Sequence, residues 1–160
     1  MKACFIGHRH IHKREELAAA LRENIIELIC KGTTTFFFGS KSEFNDLCLE
    51  IVSELKTRYP FIKRIYVRSA YPYINKDYEK YLLETYEKTY FPTQLEQAGK
   101  YSYVERNREM IDNSTYCIFY YDENYIPYHQ QSTNRNSGTK IAYQYAIQRK
   151  KVVVNLYTLL

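Results

Sequence analysis

The sequence predicts a single three-layer α/β domain built on a mainly parallel sheet of about five strands. Three observations predict it. Short apolar, β-branched or aromatic runs alternate along the chain with segments whose apolar residues recur every three or four positions. The first two of those runs each stop at a glycine, Gly7 and Gly39. The length, 160 residues, suits one continuous core and one domain over residues 1–160. Such alternation implies right-handed crossovers and helices on both faces of the sheet.

The elements follow in order. Residues 3–6 form an apolar run into Gly7, the pattern of a buried strand. Residues 13–31 carry Leu17, Leu21, Ile25 and Leu28 on one helical stripe, and Gly32 stands where a left-handed cap is favoured. Residues 34–38 are a second strand, followed by Gly39 and the polar stretch Ser40-Lys41-Ser42-Glu43. Leu47, Ile51 and Leu55 mark a helix over 44–59, which Pro60 stops. Residues 62–67 are a third strand. From 69 to 101 the pattern breaks into a Tyr/Lys/Glu-rich stretch between Pro72 and Pro92, read as an insertion without a clean strand. A short helix over 103–113, a strand over 116–121, a polar aromatic loop over 122–136, a helix over 138–149 and a strand over 152–156 complete the chain.

Composition narrows the class. Charged residues make up 26% and the net charge is +5, with no run of more than three Lys or Arg, which suits an anionic small molecule and argues against nucleic acid as a partner. Eighteen Tyr and eight Phe stand beside no Trp, a composition suited to an aromatic pocket wall or a subunit interface. The tyrosines between Tyr71 and Tyr90 point to a homo-oligomer, because a monomer would leave them as a large exposed patch. Four separated cysteines without a C-x-x-C pair, and no apolar stretch approaching a leader or a span of about 18 residues, predict a cytoplasmic protein without disulfides and without a membrane segment.

Chemistry in such a sheet belongs at the carboxyl ends of the strands. Those ends carry Gly7-His8-Arg9, Gly39-Ser40-Lys41-Ser42 and Ser69-Ala70-Tyr71-Pro72, and Asn136-Ser137-Gly138-Thr139 precedes the last helix. Glycine lets backbone N–H groups approach an anion, and a helix N-terminus adds partial positive charge. Turns alone use the same residues, so it is their recurrence at one edge that favours a phosphate-bearing ligand. Arg9, directly after a strand, and Arg106, read as lying at the start of a helix in Arg106-Asn107-Arg108, are the preferred charged contacts. His8, His10 and His12 alternate, but no Asp or Glu lies close by and the segment starts a loop, so no metal is expected. No G-x-S-x-G elbow or Cys–base pair suggests a nucleophile, and no cofactor is called for.

Several of these motifs together resemble the YpsA/YspA-like family of the SLOG superfamily of Rossmann-like domains. The carrying residues are Cys4-Phe5-Ile6-Gly7-His8-Arg9, Phe36-Phe37-Phe38-Gly39-Ser40 with Phe44-Asn45, Ala70-Tyr71-Pro72, Arg106-Asn107-Arg108-Glu109-Met110 and Ser137-Gly138-Thr139. The superfamily includes the LOG phosphoribohydrolases, whose site is similar in an Arg-x-x-x-Met helix, met here by Arg106 and Met110. Their later P-G-G-x-G-T-x-x-E loop is only partly matched. Asn136-Ser137 precede Gly138-Thr139, and Lys140-Ile141-Ala142-Tyr143 follow, so the glutamate needed for glycosidic cleavage is absent. Asn45 and Ser137 depart from the closer family, where aspartate and glycine are usual.

The resemblance therefore implies a non-catalytic domain that senses or sequesters a nucleotide-derived ligand, with Gly7, His8, Arg9, Gly39, Ser40, Lys41, Tyr71, Arg106, Asn107, Ser137, Gly138 and Thr139 at the site. Superfamily members that recognise NAD-derived signals extend this to roles in phage–host conflict. Two alternatives are a LOG-type N-glycosidic hydrolase, with Glu105, Glu109 or Asp112 standing in for the missing acid, and DprA-like binding of single-stranded nucleic acid.

Overall fold

A strand every second residue of which is apolar on both sides has to be covered twice, and the first strand has that character. In β1 (Lys2–Gly7), Ala3 and Phe5 face one layer while Cys4 and Ile6 face the other, and all four are buried. The computed structural model describes residues 1–126 and 137–160. The same division recurs in β2 (Thr35–Phe38), where Phe36 and Phe38 oppose Phe37, and in β5 (Tyr116–Tyr120), where Ile118 and Tyr120 oppose Cys117 and Phe119.

Two helices cover the first face. α1 (Arg14–Cys30) buries Leu17, Leu21, Ile25, Leu28 and Ile29, and Gly32, at φ 106°, ends the turn beyond it. α2 (Glu43–Arg58) is capped by Ser42, whose Oγ accepts from Asn45 N at 3.0 Å, and it buries Phe44, Leu47, Cys48, Ile51, Val52 and Leu55. The second face carries α4 (Ser102–Asp112), through Met110 and Ile111, and α5 (Gly138–Gln148), through Ala142 and Ala146. Between these lie β3 (Lys63–Val67), α3 (Lys76–Leu83), β4 (Lys88–Tyr90) and, after α5, β6 (Val152–Asn155).

The sheet runs β4-β3-β2-β1-β5-β6, and all five pairings are parallel. It has six strands where the sequence suggests about five. The extra one, β4, lies inside the segment 69–101 that shows no clean strand in sequence. It is three residues long, none of them fully buried, so it lacks the apolar run that announces the others. Two 3-10 turns, Thr93–Gln97 and Gly99–Tyr101, then lead into α4.

The chain leaves β1 toward β2 on one side and returns to β5 on the other. The strand order therefore reverses at β1, and a crevice opens beyond its carboxyl end.

Candidate ligand-binding site

At that crevice a cavity of about 830 Å³ is walled by the ends of β1, β2 and β3, by α4 and by the N-terminus of α5. All twelve residues selected from the sequence line it. The structure adds others that sequence reasoning missed, chiefly Tyr66, Arg68, Tyr78, Tyr103 and Tyr125. Arg68 directly follows Val67, the last residue of β3, so its place one step past a strand was the available signal.

Arg106 lies in mid-helix rather than at a helix start, and only 5% of it is exposed. Its Nε donates to Asn107 Oδ1 at 3.1 Å, and its NH1 donates to the Gly39 carbonyl. The Arg106 side chain can cross the end of β2 only because Gly39 has no Cβ: one added there would stand 2.5 Å from Arg106 Cδ. Burial pulls the guanidinium down to about 10, so it remains charged at neutral pH.

Arg68 is the second buried guanidinium, 7% exposed. Its Nε donates to the Tyr71 carbonyl at 3.2 Å and its NH1 to Thr89 Oγ1 at 3.0 Å. That first bond holds Tyr71 at φ 61°, in the left-handed region, with its ring exposed on the cavity wall and edge-on to Tyr78. Arg9 is exposed at the rim, and its carbonyl accepts from Glu43 N at 2.9 Å. Lys41 is exposed beside it.

The loop glycines do different jobs. A Cβ on Gly7 would fall 2.3 Å from the Phe44 ring, so Gly7 serves the packing of α2 on β1. Asn45, buried, joins the two strand ends: its Nδ2 donates to Phe5 O at 3.0 Å, and its Oδ1 accepts from Gly39 N at 3.3 Å. An aspartate there could not make the first bond while ionised. Ser40 and Ser42 hydroxyls meet at 3.1 Å.

Ser137 caps α5, its Oγ accepting from Lys140 N at 3.1 Å. The amides of Gly138 and Thr139 have no hydrogen-bond partner among the described residues, so they remain as donors at the positive end of the helix. At α2 the equivalent amide of Glu43 is already engaged by Arg9 O. Asn136 and the loop before it lie outside the described residues.

His8 is buried and tied to Asp122, whose backbone N–H donates to Nε2 at 2.9 Å, and its ring stacks on Tyr125 at 3.9 Å. Burial is the main cause that lowers its pKa to about 4, leaving a neutral ring. His10 instead faces Glu43 Oε1 at 3.4 Å, and among the described residues no three His, Cys, Asp or Glu side chains cluster.

The acids are elsewhere. No carboxylate lines the cavity among the described residues, and the sequence of 127–136 contains none. Glu105 pairs with Arg108 at 2.8 Å. Glu109 accepts from Tyr90 Oη and Gln94 Nε2, and Asp112 is held by Tyr145 Oη and Arg149.

A parallel α/β sheet with helices on both faces and a cationic, tyrosine-lined crevice at its strand-order reversal defines a Rossmann-like domain with a candidate ligand site. The family model described as the YspA SLOG family matches residues 7–153, and the chain belongs to that family. Membership is consistent with a nucleotide-related binding or hydrolytic role. No curated protein matches the chain.

Proposed function

We propose that this domain binds a nucleotide-derived, phosphate-bearing ligand without cleaving it. One observation carries the reading: the cavity is lined by Arg9, Lys41, Arg68 and Arg106 with no carboxylate among the described residues. Two of those cations are buried, and neither makes an ion pair with a described acid. Burying an uncompensated charge costs several kcal/mol or more, a cost that an anionic ligand offsets. The Gly138 and Thr139 amides offer further donors, and Tyr66, Tyr71, Tyr78, Tyr103 and Tyr125 offer flat apolar surface suited to a base.

Holding is favoured over cleaving by the same wall. Hydrolysis of an N-glycosidic bond passes through an oxocarbenium-like state that a carboxylate stabilises. Glu105, Glu109 and Asp112 are each bonded outside the cavity. Calorimetry against a panel of nucleotides and NAD-derived compounds tests the reading. Sub-millimolar binding lost in Arg106→Ala is expected, with no free base released at high protein concentration. Release of base abolished by Arg106→Ala would overturn non-catalytic binding, and no binding across the panel would overturn the ligand class.

A further inference from the structure

The cavity holds two buried arginines where one would suffice for a single phosphoryl group. Arg106 comes from α4 and Arg68 from the residue after β3, yet both serve the ends of neighbouring strands. β2 and β3 pair in parallel with Phe38 opposite Tyr66. Gly39, whose carbonyl takes the Arg106 NH1, lies one residue past Phe38, and Arg68 lies two residues past Tyr66. Both side chains therefore reach the cavity from the carboxyl edge of the sheet, Arg106 at the end of β2 and Arg68 at the end of β3, where Thr89 of β4 holds it. Burial raises the Tyr66 phenol, and the charges of Arg106 and Arg68 both act against that rise, as expected if one hydroxyl lies within reach of both.

Each guanidinium is braced in the same way. Protein acceptors take the Nε and NH1 of both: Asn107 Oδ1 and Gly39 O for Arg106, Tyr71 O and Thr89 Oγ1 for Arg68. The NH2 groups have no acceptor among the described residues. Fixing the inner side of each fork orients its remaining donors, and the braces are neutral, so none of the charge is cancelled. Neither buried charge is offset by an ion pair with a described acid, and an anion long enough to reach both forks would offset both.

We propose that Arg68 and Arg106 form a two-pronged clamp for a diphosphate, or for two adjacent phosphoryl groups, in the ligand of this cavity. The proposal rests on the phosphate-binding reading above and sharpens it: one prong stands at the end of β3, the other at the end of β2. A monophosphate satisfies one prong and leaves the other buried and uncompensated.

Calorimetric titration of the full chain with inorganic pyrophosphate and with orthophosphate tests this without any mutation. Pyrophosphate is expected to bind at least about tenfold more tightly, the difference corresponding to one charge-assisted fork. Arg68→Gln is expected to bring pyrophosphate down to the affinity of orthophosphate, and Arg68→Lys, which keeps the charge and loses the fork, to fall between. Equal affinity of the two anions for the unaltered protein would overturn the clamp and leave a phosphate-binding cavity standing. Failure of both anions to bind in the millimolar range would overturn the clamp and the phosphate reading together.

Discussion

An added methyl at Gly39 would lie 2.5 Å from Arg106 Cδ and 2.9 Å from its Nε, whereas one at Gly7 would meet the Phe44 ring at 2.3 Å. These two glycines look alike in sequence, each closing a strand, but their neighbours make them different experiments. Arg106 ends in a cavity and can swing. Gly39→Ala is therefore expected to lower ligand affinity at least about tenfold while changing stability by no more than about 1–2 kcal/mol. Phe44 is wedged in the core, so Gly7→Ala should destabilise by about 3 kcal/mol, read from urea midpoints. His8 makes the third residue-scale case. Its pKa in the fold, about 4, lies below its ordinary value of 6.5, so the unfolded chain binds the extra proton first and stability drops as pH falls from 6.5 toward 4. The loss is of the order of 2 kcal/mol by about pH 5. Urea unfolding at neutral pH and at pH 5 should show that loss, and His8→Gln should lack it.

At the scale of elements, the edge of the sheet is secured by charge where it has no apolar run to secure it. Glu87, just before β4, accepts from Arg64 N at 2.7 Å and Arg64 NH2 at 2.9 Å, and pairs with Lys56 of α2 at 2.9 Å. Burial alone would raise its pKa, but the Arg64 and Lys56 hydrogen bonds outweigh it and hold Glu87 at about 2. A depressed carboxyl contributes stability above its ordinary 4.5 that is lost as pH falls through about 2. Glu87→Gln should cost about 1–2 kcal/mol at neutral pH, discounted for solvent screening, and should flatten the acid limb of the stability profile. Hydrogen exchange at Arg68 N, which donates to Tyr90 O at 2.9 Å, reports the edge directly. The same strand shows why part of the fold was hidden in the sequence. Lys88, Thr89 and Tyr90 hold β4 through backbone pairing and the Glu87 ion pairs, neither of which leaves a period in the sequence. Strands β1, β2 and β5 announce themselves because both of their faces are buried. The cavity was legible for a related reason: glycines and hydroxyls mark turns at the strand ends, and the fold rule puts those ends together. Arg68 was not, because an arginine after a strand looks like surface until Thr89 and the Tyr71 carbonyl enclose it.

For the whole molecule, the proposed binding of a small anion in the cavity of about 830 Å³ predicts a weak salt dependence. Raising salt from about 50 to 200 mM should lower nucleotide affinity by less than about tenfold, against about a thousandfold for a site that follows many phosphates of a nucleic acid. Saturating ligand should also raise the melting temperature, by about 2.7 kcal/mol of added stability at about a hundredfold excess over Kd. Among the described residues no helix is long and apolar enough to cross a membrane. The central position of β1 has a further consequence, for the order in which a ribosome releases the chain. Its partners are Thr35 to Phe37 on one side and Tyr116 to Tyr120 on the other. Once α3 has emerged, β1, β2 and β3 can pair beneath α1 and α2, but the other edge of β1 stays bare and the face bearing Cys4, Ile6 and Phe37 stays uncovered. Arg106 comes only after that half-sheet, and Ser137, Gly138 and Thr139 are the last of the cavity wall to be synthesised. Until β5 is released, a nascent chain is therefore expected to expose a bare strand edge, the kind of surface that makes partly made chains prone to aggregate.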